Sequence, residues 1–247
     1  MASTKPKYRE VADPQISANQ LAQYLVAGPS ARKRIVQAAK YQSSAVVTRY
    51  RLARDSIVTC LADDARSPAT VAKERAKLLE KRQKAGNTPW TNDDLDSSIL
   101  ALDKYESQAN KTDIGKVRCA PLQGKVPPLD IAGLRVKVTP DVIVRKGTGA
   151  SERVGALLAM IAKGEKSSNV RASQGRTAAV LLWLFAQKHL AKYGEIDRKL
   201  CMSFDVFEGK VFVPSANLQT LVKNIEDACE EIVSKWPSVP PPDDFDG

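Results

Sequence analysis

Apolar positions along the chain follow two different rhythms. Up to about residue 108 they recur at three- and four-residue spacing, which is the signature of helices that bury one stripe. Ile16, Leu21, Tyr24 and Leu25 predict a helix over 15–27 with Ser17 as its N-cap, ended by Gly28-Pro29. From Ser30, the set Ile35, Val36 and Ala39, followed by Val46, Val47, Tyr50, Ala53, Ile57 and Leu61, predicts one or two amphipathic helices, with an interruption near Tyr41-Gln42-Ser43-Ser44. Pro68 marks the next boundary, before a highly charged helix over 69–85 closed by Gly86-Asn87. Thr91, with Asp94 three residues on, reads as a capping box for a helix through about Gln108 whose stripe is Leu95, Ile99, Leu102 and Tyr105.

Beyond 110 the rhythm changes. Gly115, Pro121, Gly124 and Pro127-Pro128 make residues 110–132 turn-rich. Period-two alternation over 133–139 and the apolar run after Asp141 predict two strands, and the almost wholly apolar stretch 153–162 predicts a third that is central and buried on both faces. Residues 200–207 form a fourth, turning at Glu208-Gly209 into 210–213. A buried helix over 173–192 separates the third and fourth strands, and Ser215 starts a last amphipathic helix that reaches Trp236. The fold class is therefore α+β. A helical N-terminal part (1–110) precedes a mixed α/β domain (111–236) with a four- to five-stranded sheet flanked by helices. A flexible, proline-rich acidic tail (237–247) follows.

Charge adds a candidate partner. The formal net charge is +10, and residues 31–90 hold fourteen Lys or Arg against five acids. A polyanion, DNA or RNA, is the natural complement of such an excess, although a solvated helical face would carry the same residues. Arg32, Lys33, Arg34, Arg49, Arg51 and Arg54, with Tyr41 and Tyr50 interleaved, are the candidate nucleic-acid contacts. Arg171 and Arg176, flanking Ser173-Gln174-Gly175 at a helix start, are a second phosphate-binding candidate. The longest apolar run, 178–186, is far short of the ~20 residues that cross a bilayer. With no apolar run behind the first basic residues and four scattered cysteines, the expectation is a cytoplasmic protein with reduced thiols and no membrane partner. The single histidine, His189, excludes sites built from several imidazoles. Near a helix C-terminus, its cationic form would complement the helix dipole. Any metal would need carboxylate oxygens, and so would be Mg2+ or Mn2+.

The order helix, three strands, helix, strand, with Pro140-Asp141 opening the second strand, resembles the restriction-endonuclease-like PD-(D/E)xK superfamily over about residues 92–214. The resemblance implies that Asp141 binds a divalent cation and that the next strand supplies an acid followed by a lysine two residues on. Here that strand contains no acid between Arg153 and Lys163. Glu152, Lys163, Glu165 and Asp205 are the available substitutes, and an active centre would bring Asp141, Lys163 and Asp205 together. Asp205, flanked by Phe204 and Val206 in mid-sheet, must either pair with a cation or do chemistry. The expected function is a nucleic-acid-binding protein with a nuclease-like, catalytically degenerate α/β domain. The alternative is a non-enzymatic helical adaptor that docks on a protein partner within a bacterial or phage multi-protein complex.

Overall fold

The computed structural model describes residues 7–43, 50–109, 111–124, 126–162 and 167–245. Two short strands, β1 (Tyr8–Glu10) and β2 (Gln15–Ser17), lead into helix α1 (Ala18–Val26). Ser17 caps α1 as predicted. The Gln20 N–H donates to its hydroxyl at 3.3 Å, and its own N–H donates to the Gln20 side-chain oxygen at 3.0 Å. The predicted helix starts three residues late because Gln15–Ser17 is drawn into a parallel pairing with residues 135–137. Helix α2 (Pro29–Lys40) starts at a proline, whose fixed φ suits a first turn, and passes straight into β3 (Tyr41–Ser43), which pairs with β1. This strand is the interruption expected near Tyr41.

Three more helices follow: α3 (Arg51–Ala62), α4 (Pro68–Gln83) and α5 (Pro89–Ala109). Thr91 and Asp94 do not cap α5. Thr88 accepts the Thr91 N–H at 3.1 Å, and Asp94 instead accepts the Tyr50 N–H at 3.0 Å, fixing the start of α3.

The second half supplies β4 (Arg118–Pro121), β5 (Leu129–Ile131), β6 (Leu134–Lys137), β7 (Val142–Lys146), β8 (Arg153–Met160), the long helix α6 (Ser168–His189), β9 (Glu195–Ile196), β10 (Met202–Asp205), β11 (Lys210–Phe212) and α7 (Leu218–Lys235). The main sheet runs β11-β10-β8-β7-β4, with β9 also on β8. Strands β9 and β10 lie parallel to β8, whereas the β10–β11, β7–β8 and β4–β7 pairs are antiparallel. The strand predicted over 133–139 forms as β6, but it belongs to a separate three-stranded sheet, β2-β6-β5. The first strand of the main meander is β4, inside the stretch read as turns. It buries Cys119 alone, so it carries almost no hydrophobic pattern, and Pro121 is acceptable there because β4 is an edge strand.

The α+β fold is layered on both sides of the main sheet. Val154, Ala156 and Leu158 of β8 and Ile143 of β7 join one core with α1, α2, α6 and α7. Leu157 and Ala159 of β8, Val142 and Val144 of β7, and Met202 and Phe204 of β10 join the other with α3, α4 and α5. The helices of the first 110 residues thus divide between the two faces. Helix α6 touches the sheet on one side and α1 and α7 on the other, which explains its nearly continuous apolar run. No helix among the described residues is long and apolar enough to cross a membrane.

Between β9 and β10 the chain makes a single 3-10 turn (Arg198–Leu200) that passes over Gly155 of β8. A Cβ on Gly155 would lie 2.3 Å from the Leu200 carbonyl oxygen, a backbone atom that cannot rotate away. Gly155→Ala is therefore expected to destabilise the protein by about 2–3 kcal/mol. The check is a lowered urea midpoint at unchanged slope.

Candidate functional site

The C-terminal end of β8 is where the sequence-derived acids come closest to a site, and each acid there faces an arginine. Asp141, just before β7, is only 5% exposed at its side chain. One Arg54 nitrogen, delivered by α3, lies 2.6 and 2.7 Å from its two carboxylate oxygens, and the Ala159 N–H donates to it at 2.7 Å. A second Arg54 nitrogen donates to the Ala159 carbonyl at 3.0 Å. Burial pushes the Asp141 carboxyl above the usual carboxylate range, while Arg54 and the Ala159 N–H pull it back.

Asp205 repeats the arrangement on the other face of the strand end. Its side chain is 1% exposed and takes a bidentate pair of bonds from Arg171 of α6, at 2.8 and 2.7 Å. It also accepts the N–H groups of Phe207 and Glu208, both at 3.1 Å, which closes the turn into β11. Arg171 in turn donates twice to the Ala162 carbonyl at 3.1 Å. The mid-sheet aspartate is thus paired rather than reactive.

These contacts set the chemistry of the predicted metal position. A cation ligated by Asp141 would have to displace a guanidinium already on both oxygens. No group of three or more His, Cys, Asp or Glu that could hold a metal is gathered among the described residues. Glu152 sits at the opposite end of the β7–β8 hairpin, bonded to Arg118 at 2.8 Å and Arg145 at 2.9 Å. Lys163, Glu165 and Arg49 lie outside the described residues. The residues described do not fit a Mg2+ or Mn2+ centre at Asp141.

The other candidates are dispersed. Ser173-Gln174-Gly175 lies inside α6, not at its start, which Ser167 caps. Gly175 is there for packing, since a Cβ would fall 2.2 Å from the Phe212 ring. Arg176 is exposed on α6. His189 closes that helix with its ring 5.1 Å from Phe185, and burial, with Lys188 adding to it, lowers its pKa, which disfavours the cationic form that would complement the dipole. Tyr50 packs on Phe207 rather than forming a stacking surface with Tyr41.

Much of the basic excess in residues 31–90 is internal or paired. Arg54 is in the Asp141 pair, and Arg32 donates to the carbonyls of Tyr24 and Ala27 at 3.1 and 3.0 Å. Lys40, Arg75, Lys77, Arg82 and Lys84 carry ion pairs. Lys33, Arg34 and Arg51 are exposed, the first two on α2 and the third on α3, so the predicted cluster is split between the two layers.

Around Lys33 and Arg34 lie two grooves that sequence reasoning did not find. One of about 630 Å3 runs between α2, α7 and the chain after Trp236, with Arg32, Lys33, Arg34 and Lys235 around a base of Tyr24 and Val36; Glu231 is the one acid among its described lining residues. The other, of about 740 Å3, lies on the far side of α2 beside Tyr8, Tyr41, Arg34 and Lys137 and has no acid among its described lining residues. The tail, read from sequence as flexible, passes between them: Gln37, which lines both grooves, donates to the carbonyls of Pro240 and Pro241 at 3.1 and 3.2 Å. The one available signal was an aromatic residue, Phe245, in an otherwise acidic tail. No protein-family model matches the chain, and no curated protein matches it.

Two measurements follow from this geometry. Arg171→Ala leaves Asp205 buried without its cation and should cost about 3–5 kcal/mol, whereas replacing both partners by Met and Leu should cost much less; the readout is a double-mutant cycle in urea. For His189, the folded pKa lies below the unfolded value, so the unfolded chain binds the extra proton. Stability contributed by the neutral ring is then present above the unfolded value of about pH 6.5 and lost as pH falls from there through the lower folded pKa. Denaturation at pH 7 and pH 5.5 should show a smaller pH-dependent loss in His189→Gln than in the wild type.

Proposed function

We propose that the chain is a nucleic-acid-binding protein built on a nuclease-like α/β core whose metal position is closed by an arginine. The observation that carries this reading is Arg54 on Asp141 at that place in the sheet. In the main sheet, α5, β4, β7, β8, α6 and β10 give three antiparallel strands, a crossover helix and a strand parallel to the third, which is the order of the resemblance with β4 in place of the strand read over 133–139, since that strand, β6, lies in the other sheet. Pro140-Asp141 stands at the head of the second of these strands. In such a core a guanidinium supplies the positive charge that a cation would supply, but it has no open coordination site and no bound water to activate. Exposed Lys33 and Arg34 beside the grooves support binding, because phosphate contacts need cations not already neutralised by carboxylates, whereas Arg32 and Lys235 in the first groove are paired with Glu231. Four buried free thiols are in keeping with the reducing cytoplasm.

A second reading, the adaptor, has one observation of its own: Leu79 and Trp90, 42% and 40% exposed, stand out on the α4–α5 hairpin. It requires a stoichiometric, nuclease-resistant complex with a protein of the native host that Trp90→Ala abolishes.

Fluorescence anisotropy with labelled DNA and RNA across a salt series tests the first reading. Affinity should fall log-linearly with salt, at a slope of about −0.9 per neutralised phosphate on duplex DNA and about −0.7 on single strands. Charge reversal by Lys33→Glu with Arg34→Glu should weaken binding and flatten the slope by about two such contacts. Incubation with Mg2+ or Mn2+ should give no cleavage with the wild type or with Asp141→Ala. Absence of binding at low salt would overturn the reading, and cleavage abolished by Asp141→Ala would overturn the closed metal position.

A further inference from the structure

The tail repeats, in peptide form, the contacts of one unpaired nucleotide. Asp244 receives the Lys7 ammonium and, at 2.9 Å, the Tyr8 hydroxyl. The next side chain, Phe245, sets its ring edge-on to Tyr41 with centroids 5.0 Å apart, and 6.3 Å from the Tyr8 ring. An anion held by a lysine and a phenol, with a ring lying against tyrosines, brings together the groups with which single-strand-binding surfaces hold a phosphate and stack its base, although Phe245 meets them edge-on and tilted rather than stacked. The approach to this seat is built for displacement. Pro240, Pro241 and Pro242 have no N–H to donate, and the stretch before Asp244 is held through its carbonyls: Gln37 on Pro240 and Pro241, and the Tyr41 hydroxyl on Val239 at 3.4 Å.

We propose that the strip across α2, from the Lys235 groove to the Lys137 groove, is the seat of single-stranded nucleic acid, and that the acidic tail is its tethered cover. This rests on the nucleic-acid reading and deepens it. Arg34 lines both grooves, so a strand lying along the strip would keep a cation beneath it where the tail now crosses. The substrate is a single strand because a duplex hides the faces of its bases in its own stack and leaves the tyrosine rings nothing to stack on. The tail carries Asp243, Asp244 and Asp246. Its tether gives it a high local concentration, so individually weak contacts keep the seat covered until a strand with many phosphates competes.

The experiment compares the full-length wild type with the full-length double variant Asp244→Asn, Phe245→Ala. Asp244 is exposed and Phe245 half-buried at the surface, so the folded core is left intact. Binding is read by anisotropy on a labelled oligothymidylate and on a duplex of equal length at low salt. The variant should bind the single strand about tenfold more tightly, the gain expected if the tail covers the seat nine-tenths of the time, with duplex affinity little changed. A synthetic peptide of residues 240–247 should compete the single strand off the variant, and the same peptide with both substitutions should not. Unchanged or weaker single-strand binding in the variant overturns the tail's role and leaves the nucleic-acid reading standing. An equal gain on duplex overturns the single-strand seat, since the tail would then act only as bulk negative charge. No binding of either nucleic acid by either protein removes the nucleic-acid reading and this inference together.

Discussion

A carboxylate withdrawn from water must keep a cation beside it or give up its charge, and the α/β half is organised around two that keep one. Asp141 and Asp205 flank the C-terminal end of β8, and their arginines also bind carbonyls at and just beyond that end, those of Ala159 and Ala162. Each pair therefore joins three things: a strand end, a neighbouring strand or turn, and a helix from one of the two layers. Arg54 fastens α3 to the sheet from one side, and Arg171 fastens α6 from the other. Buried pairs of this kind add little net stability over apolar packing, but removing one partner is costly. Their role is better described as fixing which helix goes where.

How much of this was legible in the sequence follows from how local each signal is. Ser17 was read correctly as the N-cap of α1, though not its reciprocal bond with Gln20, as was the two-sided burial of β8, whose run from Val154 to Ala159 has no polar side chain. Strand β4 was missed because its one buried residue makes no pattern. Strand β6 was found but placed in the wrong sheet, because alternation says that a strand has two faces and nothing about its neighbours. The pairs themselves were out of reach: Arg54 lies 87 residues before Asp141, and Arg171 lies 34 before Asp205. The reading of Asp205 as an acid that must be paired or reactive was sound physics, yet the partner could not be named.

The same limit applies to charge. Fourteen basic residues within 31–90 are a count, and a count does not separate Arg32, which closes the end of α1 through two carbonyls, from Lys33 and Arg34 beside it, which face solvent. Folding converts a uniformly basic segment into structural cations on the inside and a few available ones around α2. The grooves there are made by segments far apart in the chain: α2, α7, the strands around Tyr8 and Tyr41, and the tail. No window of sequence contains them together.

The strand that left so faint a trace also governs how the sheet meets its surroundings. An open edge offers unpaired N–H and C=O groups to any other chain. Here β4 is four residues long and ends in Pro121, which has no N–H to give, and β11, at the opposite edge, is three residues long. A second molecule approaching either edge finds too few backbone groups to extend the ladder, so the apolar strands in the middle of the sheet are kept from nucleating assembly between copies. In a protein whose central strand is a run of small and branched apolar residues from Val154 to Ala159, short borders of this kind are what disfavours edge-to-edge pairing between copies.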